Sequence, residues 1–273
     1  MSHAVTEELE TGIPALDSCL SRHDPDGLRW GDIIHIHGPS GSGKSLLVYL
    51  LVVTCCMPLN RLSDFPGGWN KIAFVFDMDG TLDILQFHQF LLARLAKIVP
   101  SVSVDPVLSE CLKRVHIFRP HSTEELAVTL AHLPKYHSNN FPDAGMGMIV
   151  IHSFEAFHWL DQFKAEQLKS LAPSGRSTML QNILNKLDDL RRSYDAIGIV
   201  SHWGLPGIQN VFTSSDTLQV DIHINPLQRF RTFHFHLAAD LNSSKDTAIK
   251  TAEDTLGGTP GIFHLSADWF NRS

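Results

Sequence analysis

The segment GPSGSGKS, residues 38–45, constrains the fold of this chain more than any other feature of its sequence. It matches the full phosphate-loop pattern, in which a glycine is followed by four residues, by Gly-Lys and by Ser or Thr. The apolar segment 32–38 leads into the motif and the apolar segment 46–59 follows it, as expected for a loop between a strand and a buried helix. Because such a loop lies at the carboxyl edge of a parallel sheet, the motif predicts an α/β fold.

The residue types of this loop predict nucleotide binding. Gly41 and Gly43 let the backbone curl so that successive N–H groups point at phosphate oxygens, and the following helix adds the partial positive charge of its N-terminus. Lys44 would neutralise the β and γ phosphates, and Ser45 would ligate Mg²⁺. A glycine turn that binds nothing, or a loop that has lost useful affinity, is the alternative. We expect ATP and Mg²⁺ as cofactors, held by Gly38, Pro39, Ser40, Gly41, Ser42, Gly43, Lys44 and Ser45.

Short apolar segments alternate with longer segments of helical periodicity as far as residue 203. This alternation predicts a mostly parallel, twisted sheet with helices on both faces. Strands are predicted at 32–38, 71–77, 115–118, 146–153 and 196–202, and helices at 44–57, 81–98, 123–135 and 177–193.

Beyond Trp203 the sequence changes to strand-like segments with short connections, which predicts a β-rich C-terminal extension over about 218–270. The polar segment 240–260 is expected to be a mobile excursion within it. We therefore predict a flexible N-terminus over 1–10, then a single domain over 11–273 whose parallel core covers about 30–203.

Composition limits the classes of function. The 273 residues are 43% hydrophobic, enough for one large core. With 29 acidic against 22 basic residues, the chain lacks the basic character of an autonomous nucleic-acid-binding protein. Any DNA contact is therefore expected to be local or shared with a partner. The four cysteines have no zinc-site spacing, and we interpret them as buried free thiols.

The segment FVFDMDGTLD, residues 74–83, allows two interpretations. It resembles the start of aspartate-nucleophile phosphatases of the haloacid dehalogenase family, with Asp77 as nucleophile and Asp79 as general acid and base. Those enzymes need a later acidic pair after a strand, whereas the pair at 188–189 lies in a segment of amphipathic-helix spacing. The favoured interpretation is a second core strand that places both carboxylates near the γ phosphate.

Four segments together resemble the RecA-type recombinases, and among them the eukaryotic recombinase paralogs. They are TGIPALDSCL at 11–20, the strand, loop and helix at 27–51, the Asp-x-Asp strand with its helix at 72–95, and MIVIHSFEAFHWLDQF at 148–163. The resemblance covers roughly 11–203 and implies a RecA-like core. It also implies a nuclear protein that joins other recombinase paralogs in a hetero-oligomeric complex, with DNA contacted through the complex and no membrane association. Its expected role is repair of DNA breaks by homologous recombination.

Three positions depart from an active member of that family. His152 stands where the Walker B strand ends in a metal-holding aspartate, Asp79 stands in place of a water-activating glutamate, and Trp203 stands in place of a glutamine that senses the γ phosphate. The resemblance thus implies ATP binding with weak or no hydrolysis. An active phosphate-loop ATPase or kinase is the first alternative, and the Asp77 phosphatase is the second.

Other polar residues have both functional and structural interpretations. His35 with His37, and His234 with His236, each share a strand face in a geometry that can hold a metal, but the sequence places no third ligand. Packed or hydrogen-bonded histidines are therefore the favoured interpretation. DNA contact is a minor alternative for Arg229 with Arg231 and for Arg191 with Arg192. The loop 204–218, at the position of a recombinase DNA-binding loop, contains no Lys or Arg.

Overall fold

The computed structural model describes residues 9–23, 27–59, 67–98, 104–168, 175–203, 220–223, 232–236, 246–250 and 262–266. Helices and strands follow one another along the chain in the order expected of an α/β protein. The helices are α1 Pro14–His23, α2 Lys44–Cys56, α3 Ile84–Ile98, α4 Val104–Leu112, α5 Thr123–Asn140, α6 His158–Leu168 and α7 Gly175–Tyr194. The strands are β1 Ile33–His37, β2 Ile72–Asp77, β3 Val115–Phe118, β4 Met146–His152, β5 Ile197–His202, β6 Val220–His223, β7 Thr232–His236, β8 Asp246–Lys250 and β9 Ile262–Ser266.

Within the described residues, seven strands form one sheet in the order β3-β2-β4-β5-β1-β7-β6. Every neighbouring pair is parallel except β6 with β7, which is antiparallel. Strands β8 and β9 pair antiparallel in a separate two-stranded sheet. The predicted α/β fold is confirmed, and β1 to β5 begin and end within one residue of their predicted bounds.

The parallel sheet buries a cluster of apolar side chains on each face. One cluster joins α2 to alternate strand residues such as Ile34, Val75 and Val150. The other joins α5 and α7 to the residues between them, such as Phe74 and Ile151. Since both faces are covered, β2, β4 and β5 are buried along their whole length, which explains why their sequences are apolar without alternation.

Helix α2 is buried along nearly its whole length, as predicted for an apolar helix after the phosphate loop. Cys55, Cys56 and Cys111 are buried free thiols, which confirms the interpretation for the cysteines whose side chains are described. In the described ranges no helix combines the length and apolar character needed to cross a membrane.

The structure corrects several predicted boundaries. Helix α5 continues five residues beyond the predicted end at 135, with Pro134 inside it. Proline has no backbone N–H, so the helix loses one hydrogen bond there. The last turns are held by the burial of Leu133 and His137. In addition, His137 Nε2 lies 2.8 Å from the carbonyl oxygen of Ala144. Helices α1, α4 and α6 were not predicted.

Described structure occurs in two segments that we expected to be flexible. Strand β8 lies inside the segment 240–260, which we expected to be a mobile excursion, and pairs Ile249 with Phe263. The rest of that segment lies outside the described residues. Leu9 and Glu10, the last two residues of the N-terminal segment 1–10, make hydrogen bonds to later parts of the chain: Leu9 N–H donates to the carbonyl oxygen of Leu28, and the Glu10 carbonyl oxygen accepts from the Trp69 indole at 2.9 Å. Residues 1–8 lie outside the described part.

Candidate nucleotide site

The phosphate loop connects β1 to α2 at the carboxyl edge of the sheet. Gly41 and Gly43 have φ values of 79° and 87°. Both values lie in the left-handed region that favours glycine. An added Cβ at Gly41 would meet no atom within 4 Å, so backbone conformation rather than space requires glycine there. These two residues therefore set the curl that the motif predicted.

Lys44 lies within this curl. Its Nζ donates to the carbonyl oxygens of Gly38 and Pro39, at 2.7 Å each, and the side chain is buried. Burial lowers the pKa of Lys44, while Asp79 and Glu155 oppose that shift. Ser42 Oγ is buried and has no hydrogen-bond partner among the described residues. A buried ammonium group and an unpaired buried hydroxyl at a helix N-terminus fit an anionic phosphate ligand.

The ends of β2, β4 and β5 bring three polar side chains to the same face of the sheet as α2. Asp77 pairs in register with His152. His152 Nε2 lies 3.2 Å from Ser45 Oγ, and its Nδ1 lies 2.9 Å from Ser201 Oγ. Ser201 also accepts from the backbone N–H of Ser153 at 2.8 Å. His152 therefore bridges the hydroxyl expected to hold Mg²⁺ and the neighbouring strand.

His152 is only 1% exposed. Burial lowers the pKa of His152. The negative charge of Asp79 opposes this shift, and the positive charge of nearby Lys44 adds to it. The imidazole is neutral at physiological pH for this reason, and it brings no negative charge to the side of Ser45. A neutral imidazole can hydrogen-bond to Ser45 but cannot offset the charge of a divalent cation as a carboxylate does.

Asp77 is the last residue of β2, and its side chain is buried. Its Oδ2 accepts from Arg119 Nε at 3.2 Å and from the backbone N–H of Leu82 at 3.4 Å. Burial, and then the neighbouring Asp79, raise the pKa of Asp77. A buried carboxylate with these partners holds the turn after β2, and it is poorly exposed for the attack on a phosphate ester that the phosphatase interpretation requires.

Asp79 is half-buried in the turn after β2, where its Oδ1 accepts from the backbone N–H and the hydroxyl of Thr81, at 3.2 and 2.7 Å. Burial raises the pKa of Asp79, but hydrogen bonds to Ser153 and Thr81 outweigh burial and lower it. The ionised carboxylate attracts the Lys44 ammonium group. Asp79 is therefore close enough to the loop to act on the charge of Lys44, and its carboxylate is already engaged by the Thr81 turn.

Sequence reasoning missed Glu155, Ser201 and His202. Glu155 lies in the turn after β4, where its Oε1 accepts from His202 Nδ1 and its Oε2 accepts from the backbone N–H of Trp203 at 3.2 Å. Burial raises the pKa of Glu155, but the hydrogen bonds that the carboxylate accepts, first from His202 and then from the Trp203 backbone, outweigh burial and lower it. Ser201 and His202 end the predicted strand 196–202. They lie beside β4 because β4 and β5 are neighbours in the sheet, and the sequence alone did not predict the order of the strands.

The structure describes only some of the residues that the sequence suggested for DNA contact. Arg191 is buried, with its guanidinium bound to Asp188 and to the carbonyl oxygen of Gly31, so the structure contradicts a DNA-contacting role for it. Arg192 pairs with Asp188 at 2.8 Å. Arg229, Arg231 and the loop 204–218 lie outside the described residues.

Comparison with known proteins finds that DNA repair and recombination proteins are similar to this chain. The chain is 26% identical over 151 residues to the DNA repair protein XRCC2 of Mus musculus, covering 55% of this chain and 50% of the mouse protein. It is 23% identical over 186 residues to the DNA repair protein XRCC2 homolog of Arabidopsis thaliana, covering 59% of this chain and 50% of that protein. No protein-family model matches the chain.

The chain is also 23% identical over 197 residues to the DNA repair and recombination protein RadA of Methanocorpusculum labreanum, covering 71% of this chain and 55% of RadA. These relatives confirm the similarity to the RecA-type recombinases and their XRCC2-like paralogs that the motifs indicated. The chain spans about half the length of the curated relatives that it matches.

Proposed function

We propose that this chain is a recombinase-paralog subunit that supports repair of DNA double-strand breaks by homologous recombination in the nucleus. It binds ATP with Mg²⁺ through residues 38–45 and hydrolyses it weakly or not at all. It acts within a hetero-oligomeric complex of recombinase paralogs, and DNA is reached through that complex. Residues 11–273 form one RecA-like domain in this proposal. Similarity to XRCC2 proteins and to RadA supports it.

One observation carries the proposal about ATP: a complete phosphate loop faces a neutral imidazole where hydrolysis would need a carboxylate. Lys44 and the loop glycines are present in a conformation suited to phosphate. His152 occupies the position beside Ser45. Phosphate binding depends mainly on the loop amides and Lys44, whereas charge stabilisation during hydrolysis depends on the metal and its carboxylates. Binding can therefore survive where turnover is lost.

Exposed apolar side chains on α6 support a partner surface on this helix. Trp159 and Phe163, one helical turn apart, are 66% and 58% exposed, and Leu160 between them is 45% exposed. Large aromatic residues are enriched in protein interfaces and costly to leave in water. In this proposal α6 contacts a neighbouring paralog.

Equilibrium ATP binding in the presence of Mg²⁺ tests the proposal, with wild type compared to Lys44→Ala. The matched control is Lys135→Ala, which removes an exposed lysine on α5 far along the chain from the loop. We expect binding by wild type and by Lys135→Ala, and a loss of at least about tenfold in Lys44→Ala because a buried charge-assisted contact to phosphate is removed. Equal binding by Lys44→Ala and wild type would contradict the assigned nucleotide site.

A further inference from the structure

Three histidine side chains meet on the face of the sheet opposite the nucleotide residues. His35 and His37 lie on β1, and His202 ends the adjacent strand β5. His37 and His202 are register partners. Because side chains alternate along a strand, these three share the face that α5 and α7 cover, while Ser201 points to the α2 side. The third residue that the sequence could not place beside His35 and His37 is therefore His202.

The three rings are close enough to share one ion. One nitrogen from each ring lies within 4.8 Å of the other two, and His35 Nδ1 lies 2.9 Å from His202 Nε2. The rings are nearly parallel, with centroids 4.5 Å apart for His37 and His202 and 5.1 Å apart for His35 and His202. Tetrahedral zinc with Zn–N bonds of about 2.0 Å holds its nitrogens about 3.3 Å apart. Because the lone pairs lie in the ring planes, the rings would rotate out of the stack to direct three nitrogens at one ion.

Glu155 orients His202 for this purpose. Its carboxylate accepts from Nδ1 of His202, which leaves Nε2, the atom that faces His35, as the nitrogen with the available lone pair. A ligating histidine that donates its other N–H to a carboxylate is the usual second-shell arrangement of protein zinc sites, and it raises the basicity of the ligand. Glu155 also accepts from the backbone N–H of Trp203, so its own position is fixed.

We propose that His35, His37 and His202 bind one Zn²⁺ ion, with Glu155 as the carboxylate that orients His202. Imidazole nitrogens suit zinc, and three protein nitrogens are a ligand number that zinc takes in proteins. The ion would tie the end of β1, one residue before the phosphate loop, to the end of β5. In the backbone register of the sheet, residues 234 and 236 of β7 are the partners of residues 35 and 37. The proposal does not depend on nucleotide binding.

Zinc content tests the site directly. The wild-type chain, stripped with a chelator and checked for folding by circular dichroism, is titrated with ZnCl₂ against a chromogenic chelator without nucleotide. We expect one ion per chain, a loss of tight binding in His37→Ala and in His202→Ala, and an affinity about 10- to 100-fold lower in Glu155→Gln. His132→Ala, which removes an exposed histidine of α5, is the matched control and retains the ion.

Two results would overturn the proposal. One is the absence of a tight ion in the wild-type chain, which would leave the three rings as a hydrogen-bonded stack. The other is zinc binding that His37→Ala and His202→Ala leave unchanged. If those variants do not fold, Co²⁺ bound to wild type gives the answer: absorption without a thiolate charge-transfer band supports nitrogen ligands, and such a band would place the metal on cysteine and overturn the assignment.

Discussion

The Nε2 atom of His152 lies 3.2 Å from the hydroxyl oxygen of Ser45. This contact joins the end of β4 to the first turn of α2, where the proposed function needs a metal ion beside the γ phosphate. The imidazole is buried and neutral, so it preserves the hydrogen bond while removing the negative charge that a carboxylate would supply. A neutral imidazole in the place of a carboxylate is expected to weaken the binding of Mg²⁺ and the hydrolysis of ATP.

Replacing His152 by aspartate is predicted to strengthen Mg²⁺-dependent ATP binding. A carboxylate beside Ser45 restores charge for the cation, and a hydrogen bond to a charged group exceeds a neutral one by about 1 kcal/mol, which is a gain of about fivefold to tenfold in affinity. Calorimetric titration with and without Mg²⁺ measures the effect. His152→Asn is the neutral control. An equal gain in His152→Asn, or a gain that persists without Mg²⁺, would contradict the role of charge.

Asp77→Asn is predicted to leave both folding and ATP binding nearly intact. Asparagine can still accept from Leu82 and Arg119, and the Arg119 side chain is 52% exposed, so the lost ion pair contributes less than about 1 kcal/mol. Urea denaturation measures the stability change. Asp77→Ala is expected to cost more because it leaves the Leu82 N–H unpaired. Hydrolysis of a generic phosphate ester that Asp77→Asn abolishes and Lys44→Ala retains would instead establish the phosphatase.

Arg191 is predicted to act in stability instead of DNA binding. Its buried guanidinium pairs with Asp188 at 2.6 Å, so Arg191→Ala should lower the free energy of unfolding by about 2–4 kcal/mol. Arg192→Ala is the matched control on the same helix, and its half-exposed pair with the same aspartate predicts a loss below about 1 kcal/mol. Equal losses in the two variants would show that burial does not distinguish these arginines.

Stability is predicted to fall as the pH drops below about 6.5, partly because of His116. This ring packs 4.4 Å from the Phe141 ring, and burial lowers its pKa despite an opposing hydrogen bond to the Lys113 backbone. The unfolded chain then binds the proton more readily than the folded chain, so the folded state loses stability as the pH falls. His116→Gln should show a shallower decline of the urea midpoint between pH 7 and pH 5.5. An unchanged decline would contradict this assignment.

The parallel core could be predicted because burial on both faces leaves a clear signal in sequence. Phe74 to Phe76 and Ile149 to Ile151 are apolar without alternation, and a phosphate loop marks the strand that precedes it. Helix α6 was missed because its exposed Trp159 and Phe163 do not follow the pattern of a helix that buries its apolar face in the core. Strand β8 was missed because its five residues lie in a polar segment and its apolar partners follow much later in the sequence.

The site was predictable where one segment carries it and not where strands bring distant segments together. Residues 38–45 are contiguous, so their loop could be recognised from the sequence. The partners of His152 are Ser45 and Ser201, which lie 107 and 49 residues away along the chain. Their contact depends on the position of β4 between β2 and β5, and a local sequence pattern does not determine strand order. The meeting of His202 with His35 was hidden for the same reason.

The most direct measurement of the central claim is ATP turnover by the isolated wild-type chain with Mg²⁺ and single-stranded DNA, followed by identification of the bound nucleotide. The proposed function predicts that the protein retains intact ATP and releases almost no phosphate above the level of Lys44→Ala. Rapid phosphate release that DNA stimulates and Lys44→Ala abolishes would contradict it, and would show that His152 and Asp79 sustain a working ATPase.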